Sequence, residues 1–192
     1  MKGIIKKIFT ILFLALSAFP FIFYKLESYI LGEEKSFQGT SQFLSLFPGL
    51  FGMYFRRGFY ILSFKKCSWD CFFGFGTIFS HPSAEIGKRV YIGTNCTIGD
   101  VLLGDYVTIG SNVDIMNGGK QHYIDNVNVP IQEQGGEYPK IYIGEDVWIG
   151  NSSVVMANIG KKTVIGAGSV VVEDIGEYCI AFGNPARVIK KR

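Results

Sequence analysis

The sequence predicts an all-β domain wound as a parallel β-helix and preceded by a helical, apolar segment. In the C-terminal half, aliphatic residues followed by glycine lie six apart in two pairs, Ile143 and Ile149, then Ile159 and Ile165. Upstream, the same spacing separates two triplets, namely Ile86, Ile92 and Ile98, then Leu103, Ile109 and Ile115. A period of six matches neither a helix nor a simple hairpin strand, so it indicates short repeated strands, each pointing one aliphatic residue inward.

The chain begins with an apolar stretch at residues 8–24, uncharged throughout and bounded by Lys7 and Lys25. This length is at the short end of the range for a membrane-spanning helix. We predict a shallow or re-entrant membrane helix bent at Pro20, where an N–H is missing. A full span, a secretory signal and a helix buried in an oligomer remain open alternatives.

The next segment is charged and then aromatic. Residues 26–37 are predicted to be helical, and residues 43–64 form two short helices that Pro48 and Gly49 separate. The aromatic side chains of residues 43–64 could seat on anionic lipid or cap the open end of the first coil. We expect membrane-surface contact through residues 1–64.

The repeat divides the chain into residues 1–70 and residues 71–192. Within the second part, the period of six stops over residues 116–142, a polar stretch rich in Gly, Asn and Gln. An excursion from a repetitive scaffold is where a site is expected. Ile149 and Ile159 are ten residues apart, where two hexads would give twelve, so we predict one shortened coil. The repeated glycines predict tight corners. Residues 185–192 are predicted to form a short basic helix or tail.

Composition excludes one class of function. The chain has 192 residues, with 19 basic and 16 acidic side chains and a net charge of +3. Much of the basic charge lies at the two ends, so the body between them is net acidic. A nucleic-acid-binding protein would carry a basic face on its body, so we set that class aside.

Three motifs add a family resemblance: VWIG at 147–150, IGAGSVV at 165–171 and GNPARVIKK at 183–191. With the hexads, they resemble the hexapeptide-repeat acyltransferases, which include galactoside, maltose, serine and xenobiotic acetyltransferases. The resemblance covers residues 73–192. It implies a left-handed β-helix, a homotrimer, and transfer of an acetyl group from acetyl-CoA to a hydroxyl or an amine, without a metal.

Two histidines are candidates for the general base, and histidine suits that role because its pKa lies near neutral pH. His122 lies in the excursion and resembles the catalytic histidine of the sugar acetyltransferases. His81 precedes Pro82 and is interpreted as structural. The resemblance also implies acceptor binding by Asn95, and we add Asp114. The acid that orients the His122 ring is left open among three residues: Asp114, Asp125 and Glu133.

The donor site is implied by the resemblance, which places the CoA arm between coils of two subunits. The residues expected there are Trp148, Asn151, Ala167, Gly168, Arg187 and Lys190. Trp148 and Asn151 stand in and after the VWIG motif. The small residues would let the arm approach the backbone, and the two basic residues would meet the CoA phosphates.

These expectations describe an acetyl-CoA-dependent O-acetyltransferase that modifies a sugar in polysaccharide or cell-envelope biosynthesis. The enzyme would be cytoplasmic and associated with the inner face of the cell membrane, because its donor is a cytosolic metabolite. The alternative is a non-catalytic, membrane-associated hexapeptide scaffold. A zinc carbonic anhydrase on the same scaffold is excluded, since two histidines cannot supply three ligands.

Overall fold

The computed structural model describes residues 2–192, with side chains from residue 8 onward. Three helices come first, α1 (Lys2–Leu31), α2 (Glu33–Ser45) and α3 (Gly49–Ser63). The chain turns between α1 and α2 at Gly32, and Pro48 precedes α3, as predicted from the Pro-Gly pair. Pro20 lies inside α1, which continues through it as one helix. A re-entrant segment would turn back at this position, so the predicted re-entrant geometry is wrong.

Short strands follow, most of them two residues long. Their bounds are β1 (Lys66–Cys67), β2 (Phe72–Phe73), β3 (Ile78–Phe79), β4 (Glu85–Ile86), β5 (Tyr91–Ile92), β6 (Thr97–Ile98), β7 (Val101–Leu103), β8 (Thr108–Ile109), β9 (Asp114–Ile115), β10 (Ile141–Ile143), β11 (Trp148–Ile149), β12 (Val154–Val155), β13 (Val164–Ile165), β14 (Val170–Val171), β15 (Cys179–Gly183) and β16 (Ala186–Lys191).

The strands stack into three parallel sheets, which form the faces of a triangular prism. Face A contains β1, β4, β7 and β10, face B runs from β2 through β5, β8, β11 and β13 to β15, and face C contains β3, β6, β9, β12 and β14. Bridges at Ile159 and Ile175 continue face A. The chain therefore makes about six turns of a left-handed β-helix, confirming the predicted fold class.

The inward positions form three columns of buried side chains. On face B, for example, Phe73, Ile92, Ile109, Ile149, Ile165 and Ala181 lie in register. Each of these residues is fully buried. The repeated aliphatic residues seen in the sequence are thus the continuous core that one coil alone could not bury.

Variation in coil length is confined to one corner of the prism. Inward residues are six apart across corner AB and corner BC, but across corner CA the interval changes from coil to coil. The CA intervals are Phe79 to Ile86, Ile98 to Leu103, Ile115 to Ile143, Val155 to Ile159 and Val171 to Ile175. The predicted trimmed coil is a shortened CA corner, and residues 116–140 leave and return at this corner.

The glycines serve close packing between coils rather than the corner turn that we predicted. A Cβ on Gly150 would lie 2.4 Å from the Ala167 nitrogen, and one on Gly87 would lie 2.6 Å from the Gly104 carbonyl carbon. The positive φ angles fall two residues later in the repeat, mostly on non-glycine residues such as Asn95 (φ 55°) and Ser152 (φ 58°), and in two coils on Gly76 and Gly168. Glycine is required because the next coil passes too close for a side chain.

The helices close the open end of the first coil. The Tyr60 ring packs 4.9 Å from the Phe73 ring and 5.1 Å from the Phe79 ring, between centroids. The Ser41 hydroxyl is 2.8 Å from the Tyr60 hydroxyl and accepts a hydrogen bond from the Phe79 N–H. These aromatic residues have the predicted capping role, whereas Phe43 remains exposed.

A buried guanidinium joins the cap to the β-helix. Arg56 donates hydrogen bonds to the carbonyl oxygens of Phe47 at 2.7 Å, Leu44 at 3.2 Å and Phe73 at 3.1 Å. Burial lowers the pKa of Arg56. The Leu44 carbonyl lies in the last turn of α2, the Phe47 carbonyl lies just after it, and the Phe73 carbonyl belongs to β2. The Arg56 side chain therefore stabilises both the end of α2 and its docking on the β-helix.

The C-terminal segment is a strand rather than the predicted helix or tail. Residues Ala186–Lys191 form β16, which pairs antiparallel with β15 at the end of face B. Arg192 then donates to the Asp146 carboxylate at 3.2 Å. The strand is favoured because β15 would otherwise present an unpaired edge at the end of the sheet.

The excursion is closed at its base by one buried amide. Asn117 accepts a hydrogen bond from the Asp100 N–H and donates to the carbonyl oxygens of Asp100 and Pro139, each at 2.9 Å. Further along, the Glu137 N–H donates to Lys120 O at 2.8 Å and the Tyr123 N–H donates to Gly135 O at 3.0 Å. The excursion is therefore a closed hairpin-like loop.

Replacing Gly150 by Ala should destabilise the protein by about 1–3 kcal/mol, because the new methyl group meets backbone of the next coil. Gly176 is the matched control: it occupies the same place in its repeat, but a Cβ there meets nothing within 4 Å. Gly176→Ala should change stability by less than about 1 kcal/mol, towards greater stability. Denaturant unfolding of both variants measures the difference, and equal midpoints would show that coil spacing does not select glycine.

Replacing Asn117 by Asp should open the loop, because a carboxylate oxygen would then face two carbonyl oxygens. We expect amide hydrogen exchange at Tyr123 and Glu137 to become about tenfold to a hundredfold faster, given about 1–3 kcal/mol for an unsatisfied buried group. Asn128→Asp, at an exposed loop position, is the control. Unchanged protection in Asn117→Asp would contradict a clamp at this residue.

Candidate active site

Corner BC gathers most of the residues predicted to contact substrates. Asn95 occupies this corner in the second coil, Asn151 in the fourth, and Ala167 and Gly168 in the fifth. Because stacked strands are about 4.8 Å apart, Asn95 and Asn151 are separated by about 10 Å along the prism axis. The corner is therefore a continuous edge with a polar side chain at each end and small residues beyond Asn151.

Asn151 is fixed by the coils on both sides. Its Oδ1 accepts a hydrogen bond from the Ser111 N–H at 3.1 Å, and its carbonyl oxygen accepts one from the Gly168 N–H at 2.9 Å. A Cβ on Gly110 would lie 2.2 Å from the same Oδ1, so that glycine makes room for the amide. The Gly168 N–H is thus engaged within the chain.

Trp148 flanks this corner on face B. It lies on β11, in register between Thr108 and Val164, and 55% of its surface is exposed. Ala167 is exposed beside it in the next coil. A large aromatic surface near a corner whose exposed residues in the fifth coil are Ala167 and Gly168 can contact a long, flexible ligand along the prism edge.

The two basic candidates occupy opposite ends of β16. Arg187 pairs with Phe182 near the end of β15, close to corner BC, whereas Lys190 pairs with Ile180 near the start of β15. The Arg187 guanidinium is 3.9 Å from the Glu173 carboxylate, and both side chains are exposed. An exposed pair of this kind stabilises little, so Arg187 can exchange Glu173 for a phosphate. Lys190 lies towards corner AB, away from the other donor candidates.

His122 lies on the excursion, which begins at corner CA, so the width of face C separates the start of the loop from corner BC. The side chain is exposed, between the two backbone hydrogen bonds that close the loop. Asp114 is on face C itself, in register between Thr97 and Val154, and exposed. Across residues 8–192, no carboxylate lies within 4 Å of a His122 ring nitrogen, so the single chain supplies no orienting partner from Asp114, Asp125 or Glu133.

The second histidine joins the helical cap to the first coil. The His81 Nδ1 is 2.7 Å from the Ser80 hydroxyl, and its Nε2 is 3.9 Å from a Glu34 carboxylate oxygen at the start of α2. This position is consistent with the structural role that we predicted for His81.

Two residues that position the loop were missed by sequence reasoning. Besides Asn117, Lys140 at the end of the excursion donates to Ser83 O at 2.7 Å and lies 3.3 Å from Asp100 Oδ1. Both stand where the six-residue period stops and resumes. Their position, where the repeat stops and resumes, could have marked these two residues in the sequence. A polar residue beside a polar loop is common, however, and its burial cannot be read from the sequence.

The comparisons with known proteins agree with this geometry. A family model described as the hexapeptide repeat of succinyl-transferase matches residues 84–116 and 140–173, on either side of the excursion. A Mycobacterium tuberculosis protein named "Probable acetyltransferase" is 34% identical over 132 residues, which cover 56% of this chain and 44% of that protein. The chain spans about half the length of the curated relatives it matches.

Solved structures match over more of the chain. A maltose O-acetyltransferase from Clostridium difficile superposes with a TM-score of 0.71 at 26% identity, covering 83% of this chain and 86% of that one. A galactoside acetyltransferase in complex with coenzyme A superposes with a TM-score of 0.69 at 30% identity, covering 80% and 78%. By its repeat, its coil geometry and these similarities, the chain belongs to the hexapeptide-repeat acyltransferase family.

Proposed function

We propose that this protein transfers an acetyl group from acetyl-CoA to a hydroxyl or an amine of a sugar. The observation that carries the proposal is the edge at corner BC, where the exposed Trp148 and Asn151 of one coil and the exposed Ala167 of the next form a strip. The similar galactoside acetyltransferase was solved with coenzyme A, and the similar maltose enzyme is named for a sugar. A sugar acceptor follows from these names together with the polar residues Asn95 and Asp114.

The donor would lie along corner BC, with its arm against Trp148 and Ala167 and its phosphates towards Arg187. The free NH₂ of Asn151 is the side-chain group that remains to bind an arm carbonyl, since its Oδ1 is held by Ser111. Lys190 contributes only a more distant positive charge in this arrangement. The strip would hold a long, thin ligand that carries amide groups, such as a pantetheine arm, rather than a bulky ligand.

The chemistry needs a base and a carbonyl held in place. A neutral ring nitrogen of His122 takes the proton from the acceptor O–H or N–H while that atom attacks the thioester carbonyl. A C–O or C–N bond forms and the C–S bond breaks. The CoA thiolate leaves and recovers the proton from the imidazolium, so the histidine ends the cycle neutral.

A neighbouring subunit completes the site. In one chain, the His122 loop starts at corner CA and the donor residues line corner BC, on opposite sides of face C. Packing two prisms side by side brings the CA loop of one subunit against the BC edge of the next. Such a head-to-tail contact closes into a ring when the rotation between subunits closes, and the family resemblance implies a homotrimer.

The helical segment would place the enzyme on the inner face of the cell membrane. α1 is buried against α3 along one side, while its other side is a row of exposed apolar residues, among them Leu12, Phe19, Phe23 and Leu26. Residues Ile8–Leu31 are apolar and long enough to cross a membrane, with a mean hydropathy of 1.9. A continuous helix with a single apolar outer side also suits the membrane interface. A membrane-bound acceptor in polysaccharide or envelope synthesis would then be within reach.

The direct test of the activity is thiol release from acetyl-CoA by the purified, full-length protein, with a panel of sugars and nucleotide sugars. We expect acceptor-dependent release and a product heavier by one acetyl group. Absence of both donor binding and thiol release with every acceptor would instead support the non-catalytic scaffold.

His122→Ala should lower kcat by about 10²–10⁴-fold, the usual contribution of a positioned general base, with acetyl-CoA affinity nearly unchanged. His81→Ala is the comparison, and it should lower the melting temperature while keeping turnover, since its ring bonds Ser80 and lies near Glu34. Steady-state kinetics on both folded variants decide. The assignment fails if His122→Ala keeps more than about a tenth of kcat and folded His81→Ala is inactive.

The shared site is tested by mixing two inactive subunits. Ala167→Trp should block the donor strip, and His122→Ala removes the base. If each site combines His122 of one subunit with the strip of the next, random co-assembly restores about a quarter of wild-type activity, because each mixed trimer has one intact site. Co-expressed trimers with no recovered activity would place both elements in the same chain.

A further inference from the structure

A second cavity lies where α1 and α3 meet the first two coils, at corner AB and away from corner BC. Its volume is about 540 Å³. The residues that matter for its chemistry are Thr10, Tyr54, Arg57, Trp69, Asp70 and Arg89. The proposed acetyl transfer uses none of them.

Arg57 is buried in the wall of this cavity without a counter-charge. Only 8% of its surface is exposed. Its guanidinium donates to the Thr10 hydroxyl at 2.6 Å and to Cys71 O at 3.4 Å, and it lies 4.5 Å from the centre of the Tyr54 ring. Throughout residues 8–192, no carboxylate oxygen comes within 4 Å of it. A buried cation is costly without an anion, so the site favours an anionic ligand.

The other charged groups leave the cavity net positive. Arg89 is exposed at the rim, and its guanidinium lies 5.6 Å from the centre of the Tyr106 ring. Asp70 is the one carboxylate of the lining. Its Oδ1 is already engaged by the Ser68 hydroxyl at 2.7 Å and by the Arg89 N–H at 3.0 Å. The cavity lining therefore holds two arginines and one carboxylate, and one oxygen of that carboxylate is already bonded to other groups.

The cavity opens beside the apolar side of the helical segment. Leu50, on its rim, is 70% exposed, and Trp69 is 53% exposed. Phe9 of α1 packs 5.7 Å from Tyr54, between ring centroids, and is also partly exposed. Exposed apolar side chains, namely Trp69, Leu50 and Phe9, next to one buried and one exposed arginine match the boundary between the hydrocarbon and the headgroups of a membrane.

We propose that this cavity binds the phosphate headgroup of an anionic membrane lipid, with Arg57 and Arg89 as its ligands. The planar, bidentate guanidinium suits a phosphate better than a single ammonium would. The bound headgroup would fix the rotation of α1 on the membrane and hold the first coil at the surface. The proposal rests on the membrane placement given under the proposed function and is independent of acetyl transfer.

The test is co-sedimentation of the full-length protein with vesicles of phosphatidylcholine, with and without phosphatidylglycerol. The apolar helix should give some binding to both kinds of vesicle, and phosphatidylglycerol should strengthen it. Arg89→Gln should lose about tenfold of that added affinity, as expected when a charge-assisted hydrogen bond is removed. Arg57→Lys keeps the charge but not the fork, and it should lose a similar amount.

Lys88→Gln is the matched control, because it removes the same charge from the neighbouring, exposed residue outside the cavity. General attraction to an anionic surface, about 1 kcal/mol per basic residue, predicts equal losses for Lys88→Gln and Arg89→Gln. Equal losses would overturn the site. A rise in melting temperature with millimolar inorganic phosphate, measured without vesicles, would also overturn it, because the cavity would then be assigned to a soluble phosphate compound. Thiol release with a soluble acceptor, measured on the same variants, reports separately on the acetyltransferase.

Discussion

The close spacing of successive coils is the constraint on which the rest of this structure depends. With strands about 4.8 Å apart, the residue after most inward side chains of faces A and B lies against the backbone of the next coil, and glycine is selected there. The same spacing brings Asn151 within hydrogen-bonding distance of Ser111 on one side and Gly168 on the other. At corner BC, the exposed residues of the fifth coil are Ala167 and Gly168. The edge that we propose for the donor is therefore built by the same packing as the rest of the fold.

The prism also explains why the loop stands where it does. Corners AB and BC keep a constant interval between inward residues, because the left-handed turn within each corner is stacked on an identical turn in the next coil. Corner CA tolerates shorter and longer connections, and the longest of them carries His122. A single buried amide, Asn117, satisfies the backbone at the base of this connection. Variation in connection length is thus confined to one edge, while the other two keep a constant interval.

The inward columns could be predicted from the sequence because the period of six repeats often enough to exceed chance, and the start of α3 could be predicted from Pro48 and Gly49. The C-terminal strand could not, since β16 has no repeat and forms because the edge of β15 needs a partner. Pro20 did not break α1, because helix packing against α3 outweighs one lost hydrogen bond. The candidate residues at corner BC follow from repeat position and motif resemblance, whereas we propose that a second subunit brings His122 to them. The sequence shows that Arg57 is charged, but it does not show that the side chain is buried.

A crystal structure of the protein with coenzyme A tests the shared edge most directly. The result expected is a trimer in which the pantetheine arm lies along corner BC, beside Trp148 and Ala167. Its sulfur would then lie near the His122 ring of the adjacent subunit, close enough for the acceptor atom to sit between them. Coenzyme A bound on another face, or a sulfur facing the His122 of its own chain, would contradict a site built from two prisms.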